Sequence, residues 1–166
     1  MIDSVETKRK IKINNEIFYF REANILDIEI IFDNINKKFL EKNFINDYNK
    51  LEKEYKHNYE TKLLDKSYII YLILDSKNYY LGEIRIENKN IVNIYLIKKI
   101  RGKGYAKTIL KTVLNVYKQK YNINRFISYI IPENEISIKV FQSIGFKYIK
   151  KENYKGIKML KFETLV

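Results

Sequence analysis

Apolar positions along the chain recur at two spacings, and the spacing changes from segment to segment. Ile11-Lys-Ile13 and Ile17-Phe-Tyr-Phe20 flank the turn signal Asn14-Asn15 and predict a short hairpin. Met1 to Asn14 is otherwise charged and reads as a lead-in, which leaves 15–166 as one domain. Ile25, Ile28, Ile31, Phe32 and Ile35 lie on one helical stripe, with Asn24 as the candidate N-cap. Tyr48, Leu51, Tyr55, Tyr59 and Leu63 predict a second helix within Asn46 to Leu64. Ser67 to Leu74, Tyr79 to Ile86 and Ile91 to Ile97 are rich in β-branched and aromatic residues and read as strands, joined at Asp75–Asn78 and Asn88–Asn90. The third is apolar at nearly every position, as a strand covered on both faces would be. Helical spacing returns at Ile109, Leu110, Val113, Leu114 and Tyr117. Arg125 to Ile131 is a further strand, ended by Pro132, and Asn134 caps a short helix that stops at Gly145. Phe146–Ile149 and Ile157–Phe162 close the chain as a hairpin. The order is β, α, α, β, β, β, α, β, α, β, β: an α/β chain with a mixed sheet and helices on both faces.

Between the third strand and its helix the periodicity breaks at Arg101-Gly-Lys-Gly-Tyr-Ala106. A strand, a basic glycine-rich turn and a helix together make an anion cradle. The first helical N–H groups lack intrahelical partners and carry the positive end of the dipole, while glycines allow the backbone close to a phosphate. An ordinary strand-to-helix turn with solvated cations would look the same at this level.

The residues themselves carry a resemblance. Arg101-x-x-Gly104-x-Ala106 after a strand resembles the R/Q-x-x-G-x-G/A signature of the GNAT superfamily of acetyl-CoA-dependent N-acyltransferases. Downstream, Asn134-x-x-Ser137-x-x-x-Phe141-x-x-x-Gly145-Phe146 is similar to the N-x-x-S/A-x-x-x-Y-x-x-x-G-F helix of the same superfamily. The order of elements also matches, so the resemblance spans most of the chain. It implies a mixed, mostly antiparallel sheet in which the cradle strand and its successor splay apart to admit the pantetheine arm of acetyl-CoA. The same resemblance puts the pyrophosphate on the backbone amides of Arg101, Gly102, Lys103, Gly104, Tyr105 and Ala106. Backbone groups of Leu96, Ile97 and Lys98 would pair with pantetheine as an added strand does, one N–H polarising the thioester carbonyl. Asn134 would contact pantetheine, cap its helix, or do both, and Ser137 would close that cap. Phe141 departs from the family's frequent Tyr and has no hydroxyl to protonate the departing thiolate. The candidate bases are Glu83 and Tyr95, which strand alternation can aim at the splay, with Asn93 as a polar lining residue. The first two helices would wall the acceptor site, and Phe39, Phe44, Tyr48 and Tyr55 are either core or substrate contacts.

Composition removes several classes. The 166 residues hold no Cys and one His, His57, which excludes disulfides and thiol chemistry and argues against a protein-only metal site. No run is long and apolar enough to span a bilayer, and the amino terminus lacks a signal core; the expectation is a cytoplasmic protein with no membrane partner. The net charge of +12 favours anionic ligands, but Ile, Lys, Asn and Tyr are all frequent and share A/T-rich codons, so much of the Lys excess reads as drift. No nucleic-acid module accompanies the charge.

The resemblance therefore implies an N-acetyltransferase that moves acetyl from acetyl-CoA to a primary amine by direct transfer in a ternary complex, as a monomer or homodimer. The run Leu81-Gly-Glu-Ile-Arg-Ile86, the short turn and the cradle strand resemble GNAT enzymes that acetylate the amino group of nucleotide-linked amino sugars, and also ribosomal-protein-type and polyamine acetyltransferases. Among these the basic surface favours the anionic sugar nucleotide. The alternatives are a polyamine or a ribosomal-protein-type amino terminus, and, outside catalysis, an acyl-CoA-binding or RNA-associated module.

Overall fold

A computed structural model describes residues 7–34, 48–65 and 67–165. The expected hairpin forms from β1 (Arg9–Ile13) and β2 (Glu16–Glu22), turning at Asn14, whose positive φ an Asn tolerates. Asn24 caps as expected, but it caps a 3-10 turn, Ile25–Asp27. Its side chain accepts from the Leu26 N–H at 2.9 Å, and Asp27 accepts from the Asn24 N–H at 2.9 Å, a reciprocal capping box. The helix proper, α1, runs over 28–34 and buries Ile28, Ile31 and Phe32, while Ile25 stays exposed on the 3-10 turn. α2 (Tyr48–Leu64) follows and buries Tyr59; Phe39 and Phe44 lie outside the described residues.

The central strands are β3 (Tyr68–Leu74), β4 (Tyr80–Glu87) and β5 (Ile91–Leu96), all antiparallel neighbours. α3 (Tyr105–Tyr121) crosses to β6 (Arg125–Ile130), and α4 (Glu135–Ser143) leads to the final pair β7 (Lys147–Tyr154) and β8 (Ile157–Leu165). The eight strands form one sheet in the order β1-β2-β3-β4-β5-β6-β8-β7. Among the described residues, parallel pairing occurs between β5 and β6 alone, through one register pair, Ile91 with Ile127, and the Ile127 N–H to Asn90 carbonyl bond of 2.9 Å. Beyond it the two strands separate.

Two apolar clusters cover the two faces. On one, Ile109, Leu110, Val113 and Tyr117 of α3 and Phe141 of α4 pack on Ile84, Ile86, Val92 and Phe126. On the other, Ile28, Ile31 and Tyr59 cover Ile70, Leu72 and Leu74. Alternation along each strand sends successive side chains to these opposite layers. β5 differs from a strand covered on both sides: Val92 and Leu96 are buried, whereas Asn93 and Tyr95 are half-buried, because the second layer thins beside the splay. No described helix is long and apolar enough to cross a membrane.

Candidate active site

The separation of β5 from β6 opens a cleft of about 220 Å³, lined by Leu96, Arg101, Ala106, Asn134 and Ser137. Ile94, Ile136 and Val140 complete its apolar wall, and Tyr95 stands at its edge. A second cavity of about 170 Å³ continues through the splay past Asn93, Ser128, Phe141 and Met159, sharing Ile94, Asn134 and Ser137 with the first. Five residues singled out from sequence for the cofactor thus meet on one cleft. Ile94, Ile136 and Val140 were not anticipated, although Ile94 shares its strand side with Leu96 and period-two alternation points to it.

At the mouth, Gly102 and Gly104 hold φ of +73° and +77°, a region that a Cβ makes costly, and a Cβ at either would meet no atom within 4 Å. The glycines are therefore required by backbone conformation, and the space in front of them is open. Gly104 is the N-cap of α3 and offers no side-chain acceptor to the first helical N–H groups. Arg101, Lys103 and Lys107 stand around this uncapped positive end, exposed. An anionic group with several acceptor oxygens fits such a cradle. Tyr105 contributes backbone, since its ring packs at 4.9 Å from Phe18.

The strand amides correct the sequence reading. The Ile97 N–H donates to the Leu81 carbonyl at 2.9 Å, across to β4, and the Ile97 carbonyl accepts from Ile100 in a 3-10 turn, Lys98–Ile100. Lys98 sits in that turn with its carbonyl accepting from Arg101. Ile97 and Lys98 therefore line neither cavity. By antiparallel alternation the odd-numbered residues of β5 bond to β4, so Ile94 and Leu96 turn their peptide groups toward the opening. Arg101 is also engaged: its Nε donates to the Leu96 carbonyl at 2.5 Å and its guanidinium lies 5.2 Å from the centre of the Tyr95 ring. It buttresses the end of β5.

Asn134 caps α4, its Oδ1 accepting from the Ser137 N–H at 3.2 Å, and it borders both cavities. Phe141 is buried edge-to-face on Phe146 at 4.9 Å and presents carbon to the second cavity.

Glu83 and Tyr95 are register partners, on the sheet face opposite α3. Glu83 is 0% exposed. Its Oε2 accepts from the Tyr80 hydroxyl at 2.9 Å. Arg85 Nε is 3.0 Å from Oε1 but off the line of its N–H, so this ion pair leaves Oε1 without a hydrogen bond. Burial pushes the Glu83 carboxyl above the ordinary carboxylate range, with the Arg85 charge and the Tyr80 hydroxyl pulling the other way. A buried carboxylate with one unfilled acceptor position is equipped to take a proton. His57 is exposed on α2, away from this cluster. Among the described residues no group of His, Cys, Asp or Glu could hold a metal.

Gly82 was missed. A Cβ there would lie 2.3 Å from the Tyr95 carbonyl oxygen and 2.9 Å from Leu96 Cα, so β4 and β5 meet at this point only because the side chain is absent. The register of β3 against β4 also shifts here, Leu81 being the extra residue between Gly82 opposite Ile73 and Tyr80 opposite Leu74. That bulge puts Tyr80 and Glu83, three residues apart, on the same face. A glycine inside a strand pattern was the available signal.

Comparison with known proteins agrees with this architecture. Residues 19–147 match the family model described as an acetyltransferase (GNAT) domain. Spermidine N-acetyltransferase from Vibrio cholerae in complex with CoA and spermine superposes with a TM-score of 0.73 at 14% identity, over 89% of this chain and 95% of that one. A dodecameric structure of the same enzyme in an intermediate state gives 0.69 at 16%, covering 89% and 93%. No curated protein matches in sequence. With a family model spanning most of its length and both cavities on the opening between β5 and β6, the chain belongs to the GNAT acetyltransferases and is an N-acetyltransferase.

Proposed function

We propose that the protein transfers acetyl from acetyl-CoA directly to a primary amine, with a polyamine as the first acceptor to test. The observation that carries the transfer is the splay itself, with a glycine-capped helix terminus at its mouth and Tyr95 at its edge; Glu83, a buried carboxylate that lines neither cavity, lies across the strand pair from Tyr95 as its register partner. Bound there, acetyl-CoA supplies an activated acyl group. The Gly102–Ala106 amides, with Lys103, hold the pyrophosphate, and the Ile94 and Leu96 peptides align the pantetheine arm as an added strand. A Leu96 or Ile94 N–H polarises the thioester carbonyl. Glu83 takes the amine proton as the C–N bond forms and the C–S bond breaks, and the thiol leaves with a proton from solvent, since Phe141 has none to give.

The acceptor class follows the solved relatives, which are spermidine acetyltransferases, one of them holding spermine. It is preferred to the amino-sugar nucleotide expected from the Leu81–Ile86 resemblance and the basic surface, because the solved structures similar to this chain are polyamine enzymes. The test is thiol release from acetyl-CoA against polyamines, amino-sugar nucleotides and amino-terminal peptides. Release with polyamines, abolished in Gly104→Glu, supports both halves of the reading. Release confined to another acceptor class overturns the polyamine assignment, and no effect of acetyl-CoA on the melting temperature overturns the cleft assignment.

A further inference from the structure

We propose that Tyr80 and Arg85 are positioning residues that hold the Glu83 carboxylate ionised and oriented for proton abstraction, and that Arg85 is itself anchored by α2 through Tyr59. The proposal rests on the reading of Glu83 as the base. Both neighbours come from Glu83's own strand: the Tyr80 hydroxyl donates to Oε2 at 2.9 Å, and Arg85 Nε forms an ion pair with Oε1 at 3.0 Å without filling its hydrogen-bond position. Arg85 Nη1 then donates to the Tyr59 hydroxyl at 3.2 Å, which fixes the guanidinium to the helix that covers this face. Other titratable groups of this cluster are Tyr95 from β5, Tyr68 from β3, Lys62 from α2, whose ammonium lies 4.9 Å from the Tyr68 ring, and Glu87 of β4, opposite Tyr68 and ion-paired with Lys155 at 2.7 Å. The residue opposite on β3, Leu72, is apolar.

A carboxylate with no exposure has no water to stabilise its charge, so its ionisation depends on these two neighbours. Each favours the charged form, and loss of either moves proton uptake by Glu83 to higher pH. The bulge at Leu81 matters for the same reason: with regular pairing, Tyr80 and Glu83 would fall on opposite faces.

The experiment is the pH profile of kcat/KM with one fixed acceptor, read as the difference between variant and wild type so that ionisation of the acceptor cancels. Tyr80→Phe moves the acid limb up by about half a unit or more. Arg85→Lys moves it less than Arg85→Gln, which moves it up by about one unit and lowers kcat/KM by about tenfold at pH values below the wild-type limb, the loss shrinking as pH rises. Uniform loss at all pH values in Tyr80→Phe and Arg85→Lys, with the limb unmoved, overturns the positioning role. Tyr80→Phe deletes one oxygen, so it keeps the test decisive if Arg85→Gln does not fold. Glu83→Gln separates the two readings. If it keeps the wild-type acid limb, the assignment of Glu83 as base fails; if it removes the limb while Tyr80→Phe leaves it in place, only the positioning proposal fails.

Discussion

Two single residues carry consequences out of proportion to their size. Gly82→Ala drives a Cβ into the Tyr95 carbonyl and the Leu96 backbone, neither of which can rotate aside. The strands must part, at a cost of about 3 kcal/mol, so urea midpoints fall and acetyl-CoA affinity falls with them because Leu96 lines the cleft. Glu83 acts through pH. Its folded pKa is raised, chiefly by burial, so folding binds a proton that the unfolded chain has already released. Its contribution to stability is present below the ordinary carboxylate range and is lost as pH rises through the folded value. Melting curves of wild type and Glu83→Gln are therefore expected to diverge with rising pH across that window, the variant gaining on the wild type. A pH-independent difference would show that the carboxyl does not titrate between the folded and unfolded states. At this scale position was legible where chemistry and spacing coincide, as at Gly104, the N-cap of α3, and Asn134, the cap of α4 that borders both cavities. It was illegible where a side chain's partner is set by register. Gly82 inside the strand pattern is the one hint of a bulge there, but it does not say which residue is the extra one, and that decides that Tyr80 and Glu83 share a face.

Among elements, β5 and α3 define the site. The amides of Ile94 and Leu96 face the opening and that of Ile97 is bonded to Leu81, so hydrogen exchange separates them. In the free protein Ile94 and Leu96 exchange faster than Ile97, and acetyl-CoA slows the first two by tenfold or more while leaving Ile97 little changed. Equal protection of all three without ligand would contradict the opening. The terminus of α3 predicts salt dependence: with phosphates on an exposed basic cradle, acetyl-CoA affinity falls as ionic strength rises, and Lys103→Glu weakens binding while reducing that dependence. Most elements could be read from hydrophobic spacing because most have a covered face, and the chain order of strands and helices followed from it; β7, exposed along most of its length, runs to Tyr154, past the Phe146–Ile149 that spacing marked. The facing of β5 could not, because the short segment from Ile97 to Arg101 winds as a 3-10 turn while Ile97 keeps its ladder bond. Ile97 and Lys98 were consequently placed one step too far along.

For the whole molecule, the sheet is one object by hydrogen bonding and nearly two by count of bonds. β1 to β5 form an antiparallel plate, β6, β8 and β7 form another, and Ile91 with Ile127 is the register pair that joins them. The chain passes from the first plate to the second once, along α3, and never returns. A donor lying along the seam, as proposed, would supply backbone-like partners where a strand would otherwise have continued. Melting temperature should accordingly climb with acetyl-CoA concentration by mass action, about 2.7 kcal/mol of added stability at a hundredfold excess over Kd, and a flat response would refute binding to the folded form. The seam also has an architectural meaning. A nick in the Asn122–Asn124 turn would leave two fragments, each owning a complete set of strand neighbours except at one edge, and a donor bound along the seam, as proposed, would be the keystone that sets them together.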